Sequence, residues 1–203
     1  MKQVSRLFSL LVLTATLALL TVCSCPSKSA PARAWDYGAF EPVSANQQSY
    51  SLPAGITIDS LYGSPDSTIP QSDVPLYMQV SNTNSGNTQV TFPAGLVFDP
   101  GNVDYAYMMI LKDFTFTANA GVTKGIYVPT YKCNTDLSDP DDESFFTIAG
   151  KEWDKETQEL LDLVAGKALN TEDAITLAQE ALTEICDDSG LTDPTRTALK
   201  ALP

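Results

Sequence analysis

Hydrophobic and polar positions alternate in short runs through the middle of the chain. The runs lie between residue 50 and about residue 131 and read AGITIDSLY, PLYMQVS, TQVTFPAGLVF, YMMILKDFTFTA and KGIYVPTYK. Clusters of Gly, Pro, Asn and Asp separate them, and NTNSGNT at 82–88 predicts the loop of a hairpin between two strands. In QVTFPAGLVF and KDFTFTA the large apolar residues fall on alternate positions, so we expect one buried and one solvated face. The pattern predicts an antiparallel β-sandwich or barrel-like domain.

The hydrophobic positions change to helical spacing in the C-terminal part of the chain. Leucine and valine residues recur at this spacing within 153–169 and predict a first helix. The sequence therefore predicts an α+β fold in which a small C-terminal helical subdomain follows the β part. We expect a single domain over residues 49–203, with the β part at about 49–149 and the helical part at about 150–203.

Capping signals predict two further helices. Asn170 or Thr171 caps the second helix, which runs to Cys186. Asp193 is the predicted cap of the third, with Pro194 in the first helical position.

The second predicted helix carries two neighbouring rows on its apolar side. The first row contains Ala174, Ala178, Ala181 and Ile185, and the row beside it contains Ile175, Gln179, Leu182 and Cys186. Gln179 and Cys186 therefore face the same neighbour, two turns or roughly 10 Å apart.

The N-terminal segment has the features of an export signal. Residues 1–25 begin with Lys2 and Arg6, which precede an uncharged apolar run. That run is shorter than the roughly 20 residues that a membrane-spanning helix needs. We therefore expect the segment to be a signal peptide and the mature protein to have no transmembrane span.

The end of this segment resembles a bacterial lipoprotein signal, in which a small residue precedes a cysteine that receives lipid. Cys25 fits that position, and Cys23, which follows Val22, is the alternative. A lipid there would anchor the protein to a membrane. The other interpretation is an ordinary secretory signal cut near PSKSA or PARAW, which would release a soluble protein. Residues 26–48 are rich in Ser, Ala, Pro and Gln and have the composition of a flexible spacer.

The chain is strongly acidic. It has 12 Lys and Arg against 25 Asp and Glu, a formal net charge of −13, and loss of residues 1–25 would bring this charge to −15. Residues 134–203 hold 17 of the acids and 5 of the bases. Because binding to phosphates requires a basic patch, nucleic acid is not an expected partner.

The chain contains no histidine, which excludes a Ser-His-Asp triad, a Cys-His pair and histidine-ligated metal sites. A four-cysteine zinc site fails because two of the four cysteines lie in the signal segment. The carboxylates show no spacing that singles out a catalytic pair. SDPDDES at 138–144 clusters four acids but lacks the spacing of an EF-hand, so an acidic loop is favoured over a calcium site. We expect no enzymatic activity, no cofactor and no metal.

Two cysteines, Cys133 and Cys186, remain in the predicted domain. Exported cysteine pairs commonly form disulfides. A bond between these two would close a loop of about 50 residues and contribute about 3–4 kcal/mol in the chain-entropy model. A single Cys133 can bond covalently to Cys186 or to Gln179, not to both, and an unbonded state is the third alternative.

Three motifs in this chain resemble those of a class of bacterial surface domains. They are FPAGLVF at 92–98, YKCN at 131–134 and AQEAL at 178–182. Their order is similar to that of the thioester-domain adhesins of Gram-positive bacteria, which combine a β-sandwich with a small helical part. The resemblance covers roughly residues 88–202.

The resemblance implies specific chemistry at two residues. Cys133 would be the thioester cysteine and Gln179 its acyl partner, with Ala181 as the small residue that lets the helix pack closely. Such an internal thioester can capture a nucleophile on a host surface. Ala178 and Thr183 stand where the family pattern has Thr and Trp.

Taken together, these features favour a membrane-anchored exported protein with a non-enzymatic structural or binding role at the bacterial cell envelope or surface. We expect the membrane, through the lipid anchor, and a surface protein or polysaccharide as partners. The alternatives are a covalent adhesin with a Cys133–Gln179 thioester and, less favoured, a carboxylate-based enzyme that acts on polysaccharide.

Overall fold

A computed structural model describes residues 49–151, 155–187 and 190–203. The predicted signal, its lipidation candidates Cys25 and Cys23, and the spacer at 26–48 lie outside the described residues.

Nine strands lie in the β part that the structure describes. In chain order they are β1 (Ile56–Gly63), β2 (Leu76–Asn82), β3 (Thr88–Phe92), β4 (Leu96–Asp99), β5 (Met108–Met109), β6 (Phe114–Ala118), β7 (Thr123–Val128), β8 (Tyr131–Lys132) and β9 (Thr147–Lys151). All pairs are antiparallel and form three sheets, with the orders β1-β2-β7, β3-β6 and β8-β5-β4-β9.

Two details of the predicted β part are wrong. The loop at 82–88 joins β2 to β3, yet these strands pair in different sheets and form no hairpin. Asn82 explains the crossing, because its side-chain amide donates to the carbonyls of Gly86 and Ala118 and holds the end of β2 beside β6. Strand β9 was not predicted, since FTIAG offers no clear alternation and is recruited by pairing with β4.

The three C-terminal helices form largely where the capping signals predict. They are α1 (Lys155–Val164), α2 (Glu172–Cys186) and α3 (Asp193–Ala201). Thr171 is the N-cap of α2 and accepts a hydrogen bond from the backbone N–H of Ala174 at 3.3 Å. The cap of α3 is Thr192 and not Asp193, which lies within the first turn instead.

The four-stranded sheet is the middle layer, because both of its faces are buried. Along β4, Leu96 and Phe98 enter a core shared with the other two sheets, whereas Val97 enters a second core formed with the helices. The two faces alternate as the period of a strand requires. The structure confirms the α+β fold class: a β-rich part made of antiparallel sheets is followed by a small helical part.

Candidate functional site

Gln179 joins α2 to the end of the middle sheet. Its side-chain carbonyl accepts a hydrogen bond from the backbone N–H of Lys132 at 2.9 Å, and its side-chain N–H donates to the backbone carbonyl of Lys132 at 2.8 Å. The same amide nitrogen also donates to the hydroxyl of Thr183 at 3.2 Å. The glutamine amide thus satisfies both backbone groups of a single strand residue.

The register of β8 explains why Lys132 turns its backbone toward α2. β8 is an end strand, and the N–H of the next residue, Cys133, donates to the carbonyl of Tyr107 on the β5 side at 2.9 Å. Because backbone groups point to alternate sides along a strand, those of Lys132 face the unpaired side. Gln179 supplies there the donor and the acceptor that a further strand would supply.

Cys133 and Cys186 are buried in the same hydrophobic core, at 0% and 7% exposure. No disulfide joins them in the described part of the chain. The structure brings Gln179 against Lys132, the residue next to Cys133, and Cys186 lies seven residues further along α2 in the core that Cys133 also enters. The disulfide and the thioester both stay predictions.

Tyr131 contributes a buried hydroxyl to the same junction. The residue is 1% exposed, and its hydroxyl has no hydrogen-bond partner among the described residues. Burial raises the pKa of Tyr131, and the negative charge of Asp73 raises it further. A hydroxyl in this position costs stability.

A groove of about 370 Å³ runs along the exposed side of α2. It is lined by Asp73, Thr176, Gln179, Glu180, Thr183 and Glu184. Burial raises the pKa of Asp73, with a further rise from the charge of Asp139. Burial also acts on Glu184, but hydrogen bonds from Thr195 and Thr192 outweigh it and lower the pKa of that carboxyl.

Both oxygens of Glu184 serve the start of α3. One accepts from the backbone N–H of Thr192 at 2.8 Å, and the other accepts from the hydroxyl of Thr195 at 2.6 Å. Glu184 therefore links α2 to the N-cap region of α3.

The acidic loop, residues 138–144, is tied to its surroundings by hydrogen bonds. The carboxylate of Asp141 accepts from the hydroxyl of Tyr105 at 2.8 Å and from the N–H of Glu143 at 3.0 Å, and Asp139 pairs with Lys132 at 2.7 Å. The Tyr105 hydrogen bond is the main cause of the lowered pKa of Asp141. Within the described ranges, no three acids or cysteines come together in a way that could hold a metal ion.

A second surface feature, which the sequence pattern did not reveal, lies on the outer face of the β1-β2-β7 sheet. Tyr62 of β1 is directly opposite Tyr77 of β2, which is directly opposite Tyr127 of β7. An antiparallel bridge outside the strands places Phe145 opposite Tyr62. Directly opposed residues project from the same face of a sheet, so these four side chains form one line, here called the aromatic row.

The three tyrosine rings of the aromatic row contact one another, and two side chains of the row are well exposed to solvent. Centroids are 5.2 Å apart for Tyr62 and Tyr77 and 5.1 Å apart for Tyr77 and Tyr127. Tyr127 is 42% exposed and Phe145 is 65% exposed. Gly125 makes room for the middle ring, because a Cβ at that position would lie 2.0 Å from the hydroxyl oxygen of Tyr77.

A sequence signal for the aromatic row existed but was ambiguous. Each tyrosine occupies the polar position of an alternating run, as in PLYMQVS, where Leu76 and Met78 are fully buried and Tyr77 points outward. In SFFT, Phe146 is buried and Phe145 is exposed. Aromatic residues at such positions are visible in the sequence, but their alignment across strands requires the register.

Comparison of the chain with models of known families, with curated proteins and with solved structures finds no match. None of the helices in the described ranges has the length and apolar character that crossing a bilayer requires.

Proposed function

We propose that this chain is an exported, membrane-anchored protein whose folded domain has a non-enzymatic binding role at the bacterial cell envelope or surface. The aromatic row is the observation that carries the proposal. Contiguous exposed apolar patches commonly mark interaction sites, and Tyr and Phe are enriched at protein interfaces.

The remainder of the domain suits a rigid support for that face. The row stands on a three-stranded sheet whose inner side is packed with fully or almost fully buried residues such as Leu76, Met78 and Val128. Side chains held on paired strands lose little further freedom on binding, which favours affinity. The junction at Gln179 attaches the helical part to the β part through two hydrogen bonds.

The proposal is tested with the purified full chain and a panel of immobilised polymers that includes peptidoglycan, neutral glucans, basic polypeptides and acidic polypeptides. We expect at least one of them to retain the protein and a Tyr127→Ala/Phe145→Ala variant to be released. Val103→Ala serves as the control, because Val103 is 60% exposed and lies outside the row. Retention by none of the polymers, or equal retention of the row variant, would overturn the proposal.

A covalent adhesin is the second candidate, favoured by the contact of Gln179 with the residue next to Cys133. In that chemistry the sulfur of Cys133 bonds to the side-chain carbonyl carbon of Gln179, and ammonia leaves with the thiol proton. Intact mass separates the alternatives, since a disulfide removes two hydrogens and a thioester removes one ammonia. A mass without ammonia loss, together with no addition of methylamine, rejects this candidate.

A further inference from the structure

Among the described strand residues, the outer face of the β1-β2-β7 sheet carries one charged side chain, and it is acidic. On the outer face of the β1-β2-β7 sheet the strands present Asp59, which accepts hydrogen bonds from the hydroxyls of Thr57 and Ser81. Lys124 is opposite the buried Val80, and its side chain therefore leaves from the other face of the sheet. The outer face carries negative charge and no lysine or arginine among the described strand residues.

The acidic loop leads into Phe145, which lies opposite Tyr62 at one end of the aromatic row. Gly63 is opposite the buried Leu76, so its close contact with the loop, where a Cβ would lie 2.4 Å from the carbonyl carbon of Pro140, is on the inner face of the sheet. The backbone N–H of Gly63 donates to the carbonyl of Ser144 at 3.3 Å. Asp142 and Glu143 of the loop are exposed and come three and two residues before Phe145 in the chain.

Electrostatics link the loop to the rings. Burial raises the pKa of Tyr62, and the negative charge of Asp142 adds to that rise. The faces of aromatic rings are themselves negative, because of the quadrupole of the π-system. The ring faces and the carboxylates both make the electrostatic potential of this surface more negative.

The tyrosine hydroxyls of the row differ in their hydrogen bonding from those of Tyr50 and Tyr105. Tyr50 and Tyr105 donate to Thr91 and Asp141, respectively. The hydroxyls of Tyr62, Tyr77 and Tyr127 make no hydrogen bond with the described residues. The row therefore offers stacking surface together with polar groups that a bound chain can use.

We propose that the aromatic row and the acidic loop together form a docking site for a basic polypeptide, whose Arg and Lys side chains stack on the rings and pair with Asp142 and Glu143. This inference rests on the proposed binding function and names its partner class. Guanidinium and ammonium groups bind aromatic faces through cation–π attraction, and guanidinium also pairs with carboxylates through two hydrogen bonds. A neutral glycan would use the rings but gain nothing from the acidic end.

The test measures binding of short oligo-arginine and oligo-lysine peptides to the purified full chain by fluorescence anisotropy. Because an acidic protein attracts any polycation, variants that keep the charge decide the result. Tyr127→Ala/Phe145→Ala is expected to bind oligo-arginine roughly tenfold more weakly at unchanged net charge. Tyr127→Phe, which keeps the ring and removes only a hydroxyl, is expected to weaken binding by less than about twofold, and a larger loss would contradict stacking on the ring even where the double variant fails to fold.

A matched pair of charge variants tests the acidic end. Asp142→Asn/Glu143→Gln is expected to weaken binding several-fold, whereas Glu172→Gln/Asp173→Asn removes the same charge from the exposed start of α2 and is expected to change it less than twofold. Equal effects of the two pairs, or no effect of the row variant, would overturn the basic-polypeptide site.

The two proposals fail in different ways. Row-dependent binding of a soluble neutral glucan or of peptidoglycan fragments, without row-dependent binding of the peptides, leaves the binding function intact and overturns the partner class. Row-dependent self-association of the chain would likewise leave the binding function intact and overturn the partner class. An absence of row-dependent binding to every probe overturns both.

Discussion

At the residue scale, two side chains at the α2–β8 junction have opposite effects on stability. Gln179 satisfies two backbone groups of Lys132 that would otherwise face the edge of the sheet without a partner. Tyr131 instead buries a hydroxyl for which the described residues provide no partner. Each leads to a measurable effect on the free energy of unfolding, and the two effects have opposite signs.

Replacement of Gln179 by alanine is expected to lower the free energy of unfolding by about 1–3 kcal/mol, because the N–H and carbonyl of Lys132 lose their partner in a half-buried position. Urea unfolding measures the change. Glu180→Ala is the control, since Glu180 is the exposed neighbour on α2 and its replacement should stay within about 0.5 kcal/mol. A Gln179→Ala variant that costs no more than this control would contradict the edge-capping role.

Replacement of Tyr131 by phenylalanine is expected to leave the free energy of unfolding unchanged or raise it by up to about 1–3 kcal/mol at neutral pH, because it removes a buried unpaired hydroxyl. Tyr50→Phe is the matched control and should cost about 0.5–1.5 kcal/mol, since the Tyr50 hydroxyl donates to the carbonyl of Thr91. A Tyr131→Phe variant that is less stable than Tyr50→Phe would show that this hydroxyl does have a stabilising partner.

The same tyrosine predicts a loss of stability in alkali. Burial, then the charge of Asp73, raises the pKa of Tyr131, so the folded state holds the phenolic proton more tightly than the unfolded state does. The resulting stability is present below the unfolded tyrosine pKa of about 10 and is lost as the pH rises above it. Urea unfolding near pH 7 and above pH 10 should show a smaller alkaline loss for Tyr131→Phe than for the unchanged chain; equal losses would contradict this prediction.

At the element scale, close approaches between strands, loops and helices fix the architecture. Gly63 lets β1 contact the backbone of the acidic loop, and Glu184 of α2 accepts the N-cap hydrogen bonds of α3. Arg196 of α3 pairs with Glu159 of α1 at 2.7 Å, an exposed contact that contributes little. The steric contact at Gly63 involves main-chain atoms on both sides and is therefore the least able to adjust.

Replacement of Gly63 by alanine is expected to destabilise the domain by about 1–3 kcal/mol, because its Cβ would lie 2.4 Å from the carbonyl carbon of Pro140 and 2.5 Å from the N of Asp141. Gly86→Ala is the matched control. A Cβ there meets nothing within 4 Å, so the variant should be neutral or slightly stabilising. Thermal unfolding of the two variants measures the difference, and equal midpoints would mean that β1 and the loop do not pack in this way.

At the scale of the whole molecule, one middle sheet serves two cores. Its one face packs against the other sheets and its other face against the helices, where Cys133 and Cys186 share a core. A covalent bond across this second core would join the β part to the helical part. The predicted disulfide would therefore affect the stability of the whole molecule, since it would constrain how the two parts separate on unfolding.

The chain isolated from an oxidising compartment is expected to show fewer reactive thiols in denaturant before reduction than after it. Reduction of a Cys133–Cys186 bond should lower the free energy of unfolding by about 3–4 kcal/mol. Thiol titration and urea unfolding with and without reductant provide the measurements, with Cys186→Ala as the variant that should not respond to reductant. Two reactive cysteines in the oxidised sample and no effect of reductant would leave the disulfide prediction wrong.

The sequence by itself determined the features that depend on near neighbours. Alternation predicted most of the strands, helical spacing and the Thr171 cap predicted α2, and the rows on that helix predicted burial of Ala178 and Leu182. Each of these follows from residues a few positions apart, so the physical cause lies within the segment itself.

Tertiary structure decided the features that join distant segments. The hairpin prediction failed because side-chain hydrogen bonds of Asn82 lead the chain to another sheet. Gln179 is 47 residues from its partner Lys132, and its hydrogen bonds exist because β8 ends a sheet beside α2. The aromatic row depends on the register of β1, β2 and β7, and a slip of one residue would turn its side chains to the other face. Register and edge position arise from packing of the whole domain, which local patterns do not encode.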